Sequence, residues 1–78
     1  MSTLPPAAPR VRLRDAGRFE YWVEVQEKPR ARWWRAGRVS RFGGPGCWAG
    51  LPTGAQQWTG YRRTRRAAVT GVLGYWQV

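Results

Sequence analysis

Apolar and polar residues alternate with a period of two from Arg10 to Arg14, where Val11 and Leu13 stand between arginines, and again through Phe19, Tyr21, Val23 and Val25. Successive side chains of a strand point to opposite faces, so this pattern predicts two half-buried strands. Asp15, Ala16 and Gly17 supply turn chemistry between them, and the pair reads as a hairpin. Its inner face would be Val11, Leu13, Phe19, Tyr21, Val23 and Val25, while Glu20, Trp22, Glu24 and Gln26 point the other way. Trp22 is then a large apolar side chain on a polar face.

Lys28 and Pro29 mark the next reversal, and Ala31 to Phe42 reads as a third strand with a bulge or bend near Gly37, where an isolated glycine interrupts the pattern. Residues 43–55, with five glycines, Pro45 and Pro52, have loop composition. Gln56 to Gly60 is a short extended piece that would add a fourth strand through Trp58. Thr64 then suits a helix N-cap, and Ala68, Val69, Val72, Leu73 and Trp76 recur at helical spacing. Gly74 is the expected helix end, with the last residues extended.

The opposite helix face, Ala67, Thr70, Gly71 and Gly74, is made of small residues, and Gly71 costs about 1 kcal/mol relative to alanine in a helix interior. Either that cost is tolerated or the face meets a second helix in a homodimer. Residues 1–9, with Pro5, Pro6 and Pro9, read as a flexible lead-in to one domain over residues 10–78. The expected fold class is α+β: a small antiparallel sheet of three or four strands followed by one C-terminal helix packed on one face.

Charge changes this picture from fold to function. The chain has 14 Lys+Arg and 4 Asp+Glu in 78 residues, a net charge of +10, and no histidine to make that charge depend on physiological pH. All four acids precede Lys28. The rest of the chain carries only arginine: Arg30, Arg32, Arg35, Arg38 and Arg41 in one series, and Arg62, Arg63, Arg65 and Arg66 in another. GC-rich coding explains why the bases are arginine but not why the acids are missing. An uncompensated field of this size repels itself unless an anion relieves it.

The inventory argues against an enzyme, because the usual proton shuttles and activated nucleophiles are absent or more simply explained as ion-pair partners. Cys47 alone closes no disulfide within the chain and, without histidine, builds no ordinary zinc site; no metal or cofactor is expected. No run approaches the roughly 18 apolar residues of a membrane span, and the first nine residues do not form a secretion signal. A cytoplasmic protein is the expectation.

Two features point to a partner. Cations at a helix start oppose the backbone dipole by a few tenths of a kcal/mol each, so Arg62, Arg63, Arg65 and Arg66 are not placed for stability. Free amides and guanidiniums there match phosphate oxygens. Six tryptophans form the second feature. A strand cannot turn both Trp33 and Trp34 inward, and Trp22 already faces out, so some indoles are exposed beside Arg32 and Arg35. They would stack on unpaired bases or sugars, or on the arginines themselves.

These features predict a non-enzymatic nucleic-acid-binding module, with DNA ahead of RNA. Both arginine series would hold phosphates, and Trp22 with Trp33 or Trp34 would stack. The order of elements resembles the small sheet-plus-helix DNA-binding modules, such as the arm-binding domains of phage integrases, which dock a sheet face on the duplex; the resemblance is one of architecture, without a shared motif. The alternatives are a protein-interaction module, such as a phage or plasmid inhibitor of an acidic host protein, and a peripheral membrane protein.

Overall fold

The computed structural model describes residues 9–77; the lead-in expected over residues 1–9 lies, except for Pro9, outside them. Strands β1 (Arg10–Gly17), β2 (Glu20–Gln26), β3 (Trp34–Arg41) and β4 (Trp48–Pro52) form one antiparallel sheet in sequence order, and helix α1 (Arg65–Trp76) follows. This is a small α+β fold, as the alternation and the helical stripe predict.

The first hairpin pairs Val11 with Val25 and Leu13 with Val23. Its turn is Arg18–Phe19, not residues 15–17, and Phe19 takes a left-handed φ of 58°. Asp15 and Ala16 stay in β1, and the register slips between Asp15 and Gly17. Gly17, at φ 153°, serves that bulge rather than the turn. In the second hairpin the register passes from Val23 opposite Gly37 to Glu24 opposite Arg35. Ala36 is the extra residue, so the bulge falls beside Gly37.

Helix α1 packs on β3 and β4. Val23, Val25, Ala36, Val39, Ala68 and Val72 form the fully buried core. Val72 sits in a trough made by two sheet glycines. A Cβ on Gly37 would come within 2.6 Å of the Leu51 carbonyl and 2.8 Å of Val72, and one on Gly50 within 2.5 Å of Val72. The glycines that permit close approach are thus mainly in the sheet. On the helix, Gly71 faces Thr59 of the same chain, where a Cβ would have ordinary contact at 3.5 Å, and Gly74 faces open space.

This trough explains the largest departure from the sequence expectation. Trp48–Pro52 is a strand although its glycine and proline have loop composition, because Gly50 is needed under the helix. Residues 56–60 form no strand; the chain instead runs along the outer edge of β4. There Thr59 N–H donates to Gly50 O at 2.7 Å, Gly50 N–H to Thr59 Oγ1 at 2.9 Å, and Trp48 and Arg62 exchange both backbone bonds.

Thr64 caps α1 as expected, its Oγ1 accepting from Ala67 N–H at 3.1 Å. The helix runs past Gly74 to Trp76 and ends at Gln77, which is left-handed at φ 59°. Trp76 holds this last turn: its indole N–H donates to the Ala36 carbonyl at 2.7 Å and its ring meets Trp34 edge-on at 5.2 Å. Because α1 lies over β3 and β4, the inner face of β1 is only partly covered among the described residues, with Leu13 packed against the core. Val11 is 41% exposed and Phe19 40%, against the expectation that both belong to the core.

Candidate nucleic-acid interface

The sheet face away from α1 carries the polar phase of the strands. Arg14 stands opposite Trp22, which stands opposite Arg38, and Arg12 opposite Glu24, which stands opposite Arg35. The side chains interlock across the strands. Arg12 lies 4.2 Å from the centre of the Trp33 ring with Arg10 behind it at 5.9 Å, Arg35 lies 4.3 Å over Trp22, and Arg38 lies 5.9 Å from Trp22 and 5.2 Å from Trp58. Five guanidinium–ring contacts thus lie on this face among the described residues. Stacking therefore sets how the arginines of this surface are held.

Glu24 ties the middle of the row together. Glu24 is only 6% exposed, and its carboxylate accepts from Arg12 Nε at 2.8 Å and from Arg35 Nε at 3.4 Å. The Arg12 hydrogen bond holds its pKa below the ordinary carboxylate range; burial opposes this, and the Arg35 bond and the charges of Arg12 and Arg14 reinforce it. Both bonds use Nε, and among the described residues no hydrogen bond engages the terminal nitrogens of either arginine. Those nitrogens are the pair that matches phosphate oxygens.

The folded pKa of Glu24 lies below the unfolded one, so its stabilisation is fully present above the ordinary carboxylate range and is lost as pH falls through the folded value. Glu24→Gln should remove this share of the acid-side loss of stability, seen in unfolding curves across pH. It should also remove the one negative charge that partly neutralises Arg12 and Arg35, steepening the log-log salt dependence of duplex binding by up to about 0.9. An unchanged or shallower salt dependence in the folded variant would show that these two arginines touch no phosphate.

The nine arginines expected to hold phosphates do not form one patch. Arg35 and Arg38 are on the helix-free face, whereas Arg41 shares the phase of buried Val39 and lies on the helix side, 3.7 Å over Phe19 with its Nε buried and unpartnered. Arg30, at φ 67°, and Arg32 are exposed in the connection before β3. Arg62, Arg63, Arg65 and Arg66 are all exposed around the helix start, and Arg65 lies 4.6 Å over Tyr21. Of the paired indoles Trp33 turns outward to Arg12, and Trp34 packs against the core and Trp76.

Arg10, Arg12, Arg14 and Trp58 also belong to this surface, beyond the contact residues expected from the sequence. Arg10 and Arg12 share the phase of Trp22 across the hairpin, a signal present in the alternation. Trp58 had none, since residues 56–60 are not a strand.

Among the described residues no three of His, Cys, Asp and Glu gather in one place, and no helix is long and apolar enough to cross a membrane. The class defined is a small α+β domain with a basic, aromatic sheet face. The chain matches no protein-family model, no curated protein and no solved structure.

Proposed function

We propose that this protein is a non-enzymatic nucleic-acid-binding module that grips the phosphate backbone with arginine, DNA ahead of RNA. The observation that carries the reading is the helix-free sheet face, where guanidiniums are laid on indole rings and bound through Nε while their terminal nitrogens stay available. Holding a long side chain in place beforehand lowers the ordering cost of binding. The arginines at the helix start form a second basic region on the helix side of the sheet, where Arg65 reaches over Tyr21, and would hold further phosphates there.

Gel-shift titrations with duplex DNA, single-stranded DNA and RNA at two salt concentrations test this. Binding to polynucleotide should weaken steeply as salt rises, by about 0.9 log units per tenfold salt for each duplex phosphate contacted. No retardation of any probe at low salt would end the proposal.

The exposed part of the inner face of β1, at Val11, favours a second reading. Val11, Leu13 and Val69 floor a groove walled by Arg12, Arg65 and Arg66, which suits an acidic protein with an apolar ridge. That reading requires one saturable protein partner whose binding Val11→Asp disrupts.

A further inference from the structure

At the β4 margin of the helix-free face lies a cavity of about 260 Å³ walled by Phe42, Trp58 and Tyr61 above Ala49. Phe42 stands edge-on to both other rings, 5.0 Å from Trp58 and 6.1 Å from Tyr61. All three aromatic residues are exposed, Tyr61 at 69%, so the core does not account for their gathering here.

Their supports are rigid. Phe42 N–H donates to Cys47 O at 2.8 Å, and the chain on either side of Tyr61 is fastened to β4 through Thr59 and Arg62. The backbone that carries the three walls is therefore fixed to the sheet. Ring-on-guanidinium stacking also sorts the aromatic residues. Trp22 and Trp33 already carry arginines and Trp58 carries Arg38, whereas among the described residues no guanidinium lies over Phe42 or Tyr61.

An aromatic cavity accepts either an organic cation or a flat neutral ring. Charge decides between them here: the protein carries +10, and Arg38 sits 5.2 Å over the Trp58 wall. A cationic guest is repelled, while a base brings its own phosphate to Arg38. We infer that the Phe42–Trp58–Tyr61 cavity receives one unpaired nucleobase, making single-stranded or locally opened nucleic acid the preferred ligand. This rests on the phosphate-gripping reading above and adds the strandedness of its target.

The test compares a short thymidine oligonucleotide, an abasic strand of equal length and charge, and a duplex, each titrated with wild type, Tyr61→Ala and Tyr61→Phe. Tyr61 is largely exposed and its neighbours are fixed through backbone and Thr59, so Tyr61→Ala should remain folded. The wild type should bind the thymidine strand about tenfold more tightly than the abasic one. Tyr61→Ala should bring the thymidine strand down to the abasic level without moving the abasic strand or the duplex, and Tyr61→Phe should keep the preference. Equal binding of thymidine and abasic strands by the wild type overturns the base site and leaves the phosphate reading standing, as does a uniform loss on all three probes in Tyr61→Ala. Failure of every probe to bind removes both.

Discussion

Gly37→Ala should lower the melting temperature by roughly 12–24 °C, the counterpart of about 3 kcal/mol in a domain of this size. The added methyl would meet the Leu51 carbonyl at 2.6 Å, Pro52 Cα at 2.9 Å and Val72 at 2.8 Å. The first two are backbone atoms of the paired strand and cannot swing aside, so either β4 or the helix must move. Gly50→Ala should also be destabilising, for a different reason: its Cβ would meet a methyl of Val72 at 2.5 Å and the Ala68 carbonyl at 3.1 Å. Adding Val72→Ala should then recover about 1–2 kcal/mol of coupling with Gly50→Ala, and much less with Gly37→Ala. Thermal melts followed by circular dichroism measure all of these variants. A Gly37→Ala protein melting within a few degrees of wild type would mean that β4 and α1 do not approach Gly37 this closely.

Exchanging Arg62, Arg63, Arg65 and Arg66 together for glutamine should flatten the log-log salt dependence of duplex binding by about 3.6, or by about 2.8 on a single strand. The helix itself should be nearly indifferent. Removing cations from its start relieves a few tenths of a kcal/mol each, and the lost contact of Arg65 with Tyr21 offsets part of that gain. Binding and stability thus separate in this variant. An unchanged salt slope would take the helix start out of the interface and leave the sheet face as the whole of it.

The hairpin, the third strand with its bulge, and the helix with its Thr64 cap were all legible, because each follows from local periodicity or from one side chain reaching a nearby amide. β4 was not. Its glycine is dictated by Val72, a residue 22 positions later, and a contact at that separation leaves no local trace. The end of the helix was missed for a similar reason, since Trp76 is held by Ala36 across the sheet and carries the helix beyond Gly74. Around the candidate site, strand phase sufficed to turn Trp22 outward, but the choice between Trp33 and Trp34 needed the bulge. The aromatic cavity was beyond reach because Phe42 and Tyr61 come from separate loops brought together by β4.

The chain segment fastened along β4 leaves that strand nothing to offer a neighbour. The outward amides and carbonyls of Trp48 and Gly50 are all satisfied internally. At the opposite margin no described strand pairs with the outer edge of β1, yet Arg10, Arg12 and Arg14 project from it, and a second copy laid alongside would bring like charges together. Four strands are therefore a closed number without barrel closure: one border is saturated and the other is electrostatically defended, so the sheet resists serving as a template for fibrillar growth.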